Sequence, residues 1–505
     1  MFVTVSRVAL GGLLSLASTL AWAQTVSAPK YSADVPTSIT TPDKVETRIG
    51  TLRFTDGAPD DETVRLVYDQ LDFSRGIEAF MAGIPATSVY AACEGVNQVG
   101  VTPNQGIGIT ENLMDARSLF LTPNTTTVYL FTCLDLSKGP VVLQVPPNVL
   151  GPVDDAYFRW IVDIGYTGPD QGKGGKYLFV PPGYTGALPP DGYFIAKPRT
   201  NTVLIFFRAF VQGGNVAGAV QAAKANAAVY PLSVAQTPPV TTFVNASGLK
   251  FNTIHANDFH FYEELNSVVQ KEPADFVEPE TVGLFAAIGI KKGMPFAPDE
   301  RMKKILTDAA AVGNATARAI LFAPRDTRTK FYPDRQWLTP FIGGSYEFLD
   351  GAERMLDART MFHYYATGIS PAMAAAKVGS GSAYAGAFRD SKGQYLDGSK
   401  TYMITLPAPI PAKDFWSFVV YDNQTRSLLE TDQKLAGLDS NSRSLKANSD
   451  GSYTIWFGPK APAGKEGNWV QTWPGKGWNV LLRLYGPLQP WFDKTWKPGD
   501  FELVE

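Results

Sequence analysis

The stretch from residue 122 to residue 147, TPNTTTVYLFTCLDLSKGPVVLQVPP, constrains the fold more than any other part of the chain. Residues 126–134 are β-branched, aromatic or otherwise strand-compatible, with no glycine or proline, and this composition predicts a strand. A Ser-Lys-Gly-Pro turn at 137–140 interrupts the run, and residues 141–145 resume it until two prolines end it. The pattern predicts a β-hairpin and therefore a β-rich architecture around it.

The first 23 residues are predicted to be a signal peptide. Arg7 is followed by an apolar run at 8–20 and by Ala21-Trp22-Ala23, which matches the small-x-small rule for cleavage. The alternative is a retained membrane anchor, which is disfavoured because the run is short for a bilayer core of about 30 Å. We therefore expect a secreted protein, which is periplasmic if the source is a Gram-negative bacterium.

The order of patterns along the 505 residues predicts the domain organisation. Short strands bounded by glycine or proline dominate the first part, helical periodicity follows, and strands then return. We expect a multi-domain fold of α and β structure, with two all-β domains separated by a helical segment. The predicted divisions are a signal peptide (1–23), a flexible lead-in (24–59), a mostly β domain (60–214), a helical segment (215–370) and a C-terminal β-sandwich domain (371–505).

Two helices are expected near the start of the first domain. Apolar side chains at positions 64, 67, 68 and 71 lie on one helical face. A second helix is predicted over residues 76–81, and it should stop before Pro85 because proline removes a backbone donor from the helix.

Charge and cysteine content limit the partners and cofactors. A net charge of −3 gives no reason to expect nucleic acid or an anionic membrane surface as a partner, and no second stretch is long and apolar enough to span a membrane. The only cysteines are Cys93 and Cys133. They form either a disulfide, which an oxidising compartment permits, or two separate buried thiols. The sequence does not indicate the oligomeric state.

No catalytic or metal-binding motif stands out. The chain has three histidines, and His255 and His260 are five residues apart, which misses the i, i+4 spacing of two ligands on one helical face. No Gly-x-Ser-x-Gly nucleophile motif occurs, and the glycine-rich run at 172–175 precedes a predicted strand rather than a helix. We therefore predict no metal and no cofactor, and assign no catalytic residue.

One candidate for ligand binding lies on a strand predicted over residues 157–164. Alternation along that strand places Arg159 and Asp163 on the same face. They form either a structural ion pair or part of a pocket wall.

The other candidates lie near the C-terminus, where aromatic and polar residues are concentrated: Trp416, Asp422 and Arg483, with further aromatic residues around them. Flat aromatic faces beside polar groups suit sugar rings or other planar ligands, and they also suit an ordinary sandwich core.

Three dispersed blocks of sequence resemble a known two-part family. They are TPN at 122–124 with LDLSKGPVVL at 134–143; NDF at 257–259 with ELN at 264–266 and AIGI at 287–290; and FWSF at 415–418 with YD at 421–422, DGS at 450–452, NW at 468–469 and LRLY at 482–485. In that family, domain of unknown function 1254 precedes domain of unknown function 1214. The resemblance covers roughly residues 60–505.

The resemblance implies two all-β domains around a helical segment, with a jelly-roll-like C-terminal domain similar to those of some glycan-processing proteins. It carries no catalytic residues onto this chain. The family pattern has an acid near position 126, where this chain has Thr125-Thr126-Thr127. A role for that acid is therefore not expected here.

Two functional hypotheses follow. The first is a protein that binds an envelope glycan or another extracellular small molecule in an aromatic-lined cleft between the β domains. The second is a hydrolase or lyase that acts on a carbohydrate or similar substrate with carboxylates in the same cleft. Both place a pocket between the domains, lined by Arg159 and Asp163 on one side and by Trp416, Asp422 and Arg483 on the other.

Overall fold

The computed structural model describes residues 30–504, so the predicted signal peptide lies outside the described residues. The chain divides into two compact units, the first ending at Tyr68 and the second beginning at Asp69. The first unit contains an antiparallel sheet of three strands: β1 (Lys44–Thr47), β2 (Gly50–Thr55) and β3 (Ala58–Pro59). The sequence predicted a flexible lead-in over these residues. The difference arises at the turn, where Gly50 adopts a φ of 123° and accepts a hydrogen bond of 2.8 Å from the Thr47 hydroxyl.

Helix α1 (Asp61–Gln98) is one continuous helix of 38 residues. The sequence predicted two shorter helices that end before Pro85, and Pro85 lies inside the observed helix. Every residue from 83 to 89 is buried. Tertiary packing on this segment therefore outweighs the local cost of a proline within a helix.

The second unit contains the remaining regular elements. The other helices are α2 (Val216–Asn226), α3 (His260–Lys271), α4 (Pro279–Ala287), α5 (Glu300–Phe322), α6 (Leu356–Tyr365), α7 (Pro371–Ala374) and α8 (Gln489–Phe492). The strands as far as α3 are β4 (Gly106–Ile109), β5 (Ser118–Leu119), β6 (Val128–Asp135), β7 (Val141–Val145), β8 (Val149–Asp155), β9 (Trp160–Gly165), β10 (Gly175–Phe179), β11 (Phe194–Ala196), β12 (Thr202–Ala209), β13 (Ala228–Pro231), β14 (Thr242–Asn245) and β15 (Phe251–Asn252). The strands after α5 are β16 (Trp337–Leu338), β17 (Leu349–Asp350), β18 (Glu353–Arg354), β19 (Ser382–Ala387), β20 (Tyr402–Leu406), β21 (Ala412–Asp422), β22 (Gly437–Asp439), β23 (Tyr453–Gly458), β24 (Trp469–Gln471), β25 (Trp478–Pro487) and β26 (Glu502–Leu503).

Two sheets form the first β-rich part of this unit. The N-terminal sheet has six strands in the order β14-β4-β6-β12-β8-β9, and a four-stranded sheet has the order β11-β10-β7-β13. Their apolar side chains share one core, which includes Leu130 and Ile205 from the first sheet and Leu143 and Phe179 from the second. The strands predicted at 126–134 and 141–145 are present as β6 and β7. The predicted hairpin is not, because β6 pairs with β4 and β12 whereas β7 pairs with β10 and β13.

Two further sheets form the C-terminal part. The C-terminal sheet has five strands in the order β16-β19-β25-β21-β22, and a four-stranded sheet has the order β24-β23-β20-β26. Their shared core contains Trp337, Phe418, Phe457 and Trp478. Helices α3 to α5 lie in the sequence between the two β-rich parts. The segment predicted to be helical also contains β13 and β14, which join the first two sheets.

The predicted fold class is confirmed as a multi-domain protein of mixed α and β structure. The jelly-roll character of the C-terminal part and the predicted domain boundaries stay predictions. Cys93 in α1 and Cys133 in β6 are joined by a disulfide bond. Among residues 30–504, no helix combines the length and the apolar character that a membrane crossing requires.

Candidate functional site

One face of the N-terminal sheet presents the first wall of the candidate site. In the pairing register, Arg208 of β12 lies opposite Tyr129 of β6 on one side and Leu150 of β8 on the other. Two residues further along β8, Pro152 lies opposite Asp163 of β9. Because alternate residues of a strand share a face and directly paired residues do too, these five side chains point to the same side of the sheet.

One face of the C-terminal sheet presents the second wall. Arg483 of β25 lies opposite Tyr384 of β19 and Ser417 of β21. Leu481, two residues earlier on β25, shares this face. Both central positions of the site are thus arginines on interior strands, where the strand geometry fixes the direction of the side chain.

A cavity of about 110 Å³ lies between these two walls, and we call it the arginine cavity. Its charged side chains are Asp163, Arg208 and Arg483. Most of the remaining lining is apolar and includes Leu150, Phe206, Phe341, Phe362, Met373 and Leu481. This volume is smaller than that of the engineered apolar cavity of about 150 Å³ that binds benzene, so it limits a ligand to a small organic molecule.

Arg483 is the most deeply buried cation of the cavity, with 3% of its surface exposed. Its Nη2 donates a hydrogen bond of 2.8 Å to the carbonyl oxygen of Thr122, whereas Nη1 has no hydrogen-bond partner among the described residues. Burial opposes its charge, but the surrounding tyrosines, Tyr421 first, raise the pKa of Arg483. The guanidinium group therefore stays charged and keeps one nitrogen available for a ligand.

The segment that accepts the hydrogen bond from Arg483 is the Thr-Pro-Asn sequence at 122–124. Thr122 adopts a φ of 42°, and the carbonyl oxygen of Pro123 accepts a hydrogen bond of 2.7 Å from the Tyr421 hydroxyl. The side-chain oxygen of Asn124 accepts bonds of 2.9 and 3.0 Å from the backbone N–H groups of Thr126 and Thr127. The turn is therefore held by its own side chain and by the C-terminal sheet, which places its carbonyls at the arginine.

Arg208 approaches the same space from the N-terminal sheet. Its Nη2 lies 3.4 Å from the Ser382 hydroxyl, which is a long hydrogen bond. Burial would raise the pKa of Tyr384, but the guanidinium groups of Arg208 and Arg483 act on its hydroxyl and the net direction is downward. Since both cations act on one hydroxyl group, they converge on the same part of the cavity.

Asp163 lies on the β9 side of the cavity and is 4% exposed. The indole N–H of Trp160 donates a hydrogen bond of 3.0 Å to its Oδ1. Burial raises the pKa of Asp163, and the hydrogen bonds from Thr167, Trp160 and Ser370 only partly offset this effect. Asp163 therefore favours its neutral, protonated form more than an exposed aspartate does.

A second buried acid, Asp154, lies on the neighbouring strand β8, opposite Trp160 of β9. Its Oδ2 accepts a hydrogen bond of 3.0 Å from the backbone N–H of Ile369, and its Oδ1 has no partner within residues 30–504. Burial raises the pKa of Asp154 well above its ordinary value, and the neighbouring Asp155 and Asp163 carboxylates add to this. The β8–β9 side of the cavity therefore disfavours any further negative charge.

The structure brings together only two of the five site residues that the sequence nominated, Asp163 and Arg483. Arg159 pairs instead with Asp155 at 2.6 Å. The strand predicted from residue 157 begins at Trp160, and residues 156–158 form a turn, so alternation does not extend back to Arg159.

The other two nominated residues also lie away from the cavity. Trp416 packs in the core of the C-terminal sheets, with its ring 5.4 Å from that of Tyr453. Asp422 closes a turn, accepting from the backbone N–H of Gln424, and pairs with Lys476 at 2.8 Å.

Arg208 was missed by sequence reasoning. It sits in the strand sequence TVLIFFRA, where an arginine interrupts a run of apolar residues, and this interruption was the available signal. The histidines lie apart from the cavity lining. His255 is buried and contacts the carbonyl oxygen of Ala256, and His260 is exposed beside Asp258. Residues 30–504 hold no cluster of three or more histidine, cysteine or acidic side chains arranged to bind a metal.

Two families of known proteins match the regions of the chain that form the two walls of the cavity. Residues 103–231 match the family described as "Protein of unknown function (DUF1254)", and residues 381–489 match "Protein of unknown function (DUF1214)". The two matches lie in this order along the chain. The order expected from the resemblance is therefore confirmed. Asp163 and Arg208 lie within the DUF1254 match, and Tyr384 and Arg483 lie within the DUF1214 match, so the cavity is built by both domains.

Two solved structures are similar to this chain. The VPA0106 protein from Vibrio parahaemolyticus is 18% identical, with a TM-score of 0.53 over 86% of this chain and 100% of that chain, and it shows that the fold is shared. An uncharacterized protein from Burkholderia cenocepacia is 12% identical, with a TM-score of 0.40 over 87% of this chain and 96% of that chain. No protein with a curated description matches the chain.

Proposed function

We propose that the protein binds a small organic anion, a carboxylate with an apolar body, in the arginine cavity between the DUF1254 and DUF1214 domains. The observation that carries the proposal is Arg483, which is buried at the cavity, charged, and left with an unpartnered Nη1. A buried cation is costly unless an anion or several hydrogen-bond acceptors compensate it. A bound carboxylate would supply both.

The balance of charge in the cavity supports an anionic ligand. Arg208 and Arg483 have tyrosines as their main polar neighbours, and neither forms an ion pair with an acidic residue in the described part of the chain. Asp163 is the third charged side chain of the lining, and burial favours its neutral form. The cavity therefore carries an excess of positive charge, and the planar guanidinium group matches a carboxylate in geometry.

The apolar remainder of the lining defines the rest of the ligand. Phe206, Phe341 and Phe362 with Leu150 and Met373 offer hydrophobic contact, and the uncharged polar side chains of the lining are those of threonine, serine and tyrosine residues. Burying an apolar ligand surface here contributes about 25 cal/mol per Å². An aromatic or aliphatic acid would therefore use both the arginines and the apolar side chains of this lining.

A second candidate function is catalysis by proton transfer. The supporting observation is Asp163, a buried carboxyl group with a raised pKa that lines the same cavity as two arginines. Such a group can act as a general acid on a bound substrate. This reading retains the hydrolase or lyase hypothesis, with the arginines as the anchors of an acidic substrate.

We also propose that the protein acts outside the cytoplasm. The signal-like sequence at residues 1–23 supports this, and so does the Cys93–Cys133 disulfide, because disulfides persist in oxidising compartments. Intact-mass measurement of material from the producing cell would test it. A mass beginning at Gln24 is expected, and a mass that includes Met1 would contradict it.

The binding proposal is tested by calorimetry and thermal shift with two acids and their neutral analogues. Benzoate and octanoate should bind and raise the melting temperature, whereas benzamide and octanamide should do so much less. Arg208→Met and Arg483→Met should each weaken acid binding.

The matched control is Arg301→Met. Arg301 is 45% exposed on the surface and pairs with Asp69 and Asp72, so this variant changes the net charge equally without touching the cavity. It should bind both acids as the wild type does. Equal binding of acids and amides, or no binding of either acid, would overturn the proposal.

A further inference from the structure

The two polar ends of the arginine cavity are separated by a fixed length of sheet. Arg208 and Asp163 share one face of the N-terminal sheet, on β12 and β9, with β8 between these strands. Strand spacing places their Cα atoms about 10 Å apart across the sheet, and the offset of two residues adds about 7 Å along it. A ligand whose carboxylate meets the arginines therefore directs its opposite end toward Asp163.

We propose that the ligand is a hydroxy or oxo carboxylic acid, whose carboxylate is held by Arg208 and Arg483 and whose distal uncharged oxygen is hydrogen-bonded by the Asp163 side chain. This inference rests on the proposed function and adds the second polar group of the ligand. It also excludes dicarboxylates of the same length, because no cation among the described residues acts on the Asp163 end of the cavity to pair with a second buried carboxylate.

Asp163 has no cationic partner among the described groups that surround it. The polar groups that act on it are the Trp160 indole and the hydroxyls of Thr167 and Ser370, and none of these is a cation. Asp154, on the neighbouring strand β8, is a second acid rather than a counter-charge. A carboxyl group that is 96% buried is stabilised when a ligand oxygen takes the place of water.

The Asp163 carboxyl group can form a hydrogen bond with either a hydroxyl or a carbonyl oxygen of the ligand. A neutral carboxyl group has one O–H donor, which can be given to a ligand carbonyl or hydroxyl oxygen. Its second oxygen can accept the proton of a ligand hydroxyl. A second ligand carboxylate at the same place would be buried beside Asp163 without a cation from the described residues to pair with it, which is unfavourable.

Calorimetry with benzoate, 4-hydroxybenzoate and terephthalate separates these cases, because the three acids differ only at the para position. The wild type should bind 4-hydroxybenzoate roughly three- to tenfold more tightly than benzoate, which is the range of one net hydrogen bond. Terephthalate should bind more weakly than 4-hydroxybenzoate.

Two variants assign the preference to Asp163. Asp163→Asn keeps a neutral group of the same shape with hydrogen-bonding capacity, so the preference for 4-hydroxybenzoate should remain. Asp163→Leu removes that capacity, so the preference should vanish while benzoate still binds. If Asp163→Leu does not fold, the Asn variant decides, because loss of the preference for 4-hydroxybenzoate in Asp163→Asn would overturn the inference.

The outcomes separate this inference from the proposed function. Benzoate binding with no gain from the para hydroxyl overturns the inference and leaves the proposed function standing. Tighter binding of terephthalate than of 4-hydroxybenzoate also overturns it. If none of the three acids binds, the inference falls, and the octanoate experiment then decides whether the proposed function falls with it.

Discussion

Replacing Arg483 with methionine separates the stability of the protein from its ability to bind an acid. Methionine keeps an unbranched side chain of similar reach and removes the guanidinium group. The variant loses the 2.8 Å hydrogen bond to the Thr122 carbonyl oxygen and the cation that faces the cavity. We expect little change in the free energy of unfolding and a large loss of affinity for benzoate.

The magnitudes follow from the contacts of the side chain. A hydrogen bond to a charged group contributes about 1.5–3 kcal/mol to folding. Burying a cation with an unsatisfied nitrogen costs several kcal/mol, and the methionine variant is relieved of that cost. The two effects oppose each other, so the net change in unfolding free energy should stay within about 2 kcal/mol of zero. Loss of a charge-assisted pair with the ligand should weaken binding by roughly 30- to 150-fold, that is about 2–3 kcal/mol.

The assay combines urea unfolding, followed by tryptophan fluorescence, with calorimetric titration of benzoate. The matched control is Arg426→Met. Arg426 is fully buried away from the cavity lining, and it donates bonds of 3.1 and 3.0 Å to the carbonyl oxygens of Tyr364 and Gln424. That variant loses the bond to the Tyr364 carbonyl oxygen, whereas the Gln424 carbonyl oxygen still accepts a bond of 2.9 Å from Arg318. It is also relieved of a buried cation with an unpartnered nitrogen, so its unfolding free energy should likewise stay within about 2 kcal/mol of the wild type. Its benzoate affinity should be unchanged, because Arg426 does not line the cavity. A large loss of stability in Arg483→Met with unchanged benzoate binding would refute the reasoning.

Three other predictions concern stability. Burial raises the pKa of Glu264 to about 7, so in the folded state the Glu264 carboxyl group stays protonated between about pH 4.5 and 7. The free energy of unfolding of the wild type relative to that of Glu264→Gln should therefore fall by about 3 kcal/mol as the pH rises through that window. A difference between the two proteins in urea unfolding that stays constant with pH would contradict this. Replacing both Cys93 and Cys133 with alanine opens a loop of 40 residues and should cost about 4 kcal/mol, measured by the same method; an unchanged midpoint would show that the cross-link adds nothing. Gly313→Ala in α5 brings a Cβ to 2.7 Å from an aromatic ring carbon and should lower stability by about 1–3 kcal/mol, whereas Gly283→Ala in α4 meets nothing within 4 Å and should raise it; the opposite order of melting temperatures would refute the packing argument.

Local composition was enough to predict strands but not their partners. Residues 128–135 and 141–145 are strands as their β-branched and aromatic content indicated, yet they lie in different sheets. Almost every residue of both strands is buried, so neither shows the alternation that would reveal one solvent-facing side. Pairing then depends on distant strands such as β10 and β12, which a single sequence does not reveal.

The candidate site shows the same division between local and distant information. Asp163 and Arg483 could be nominated because a charged residue within an apolar strand is unusual. Arg159 was nominated as well, but it does not line the cavity, because β9 begins at Trp160 and a turn precedes it. A small error in the predicted start of the strand is enough to assign such a residue to the wrong face. Arg208 carried an equal signal and became recognisable only when the register placed it opposite Leu150 and in line with Asp163.

The most direct test of acid binding at the arginine cavity is a crystal structure with bound 4-iodobenzoate, in which anomalous scattering locates the iodine. We expect the ring in the arginine cavity, with carboxylate oxygens about 2.7–2.9 Å from guanidinium nitrogens of both Arg208 and Arg483. The iodine should lie on the Asp163 side. A molecule bound only elsewhere, or one whose carboxylate points away from both arginines, would contradict binding by the two arginines.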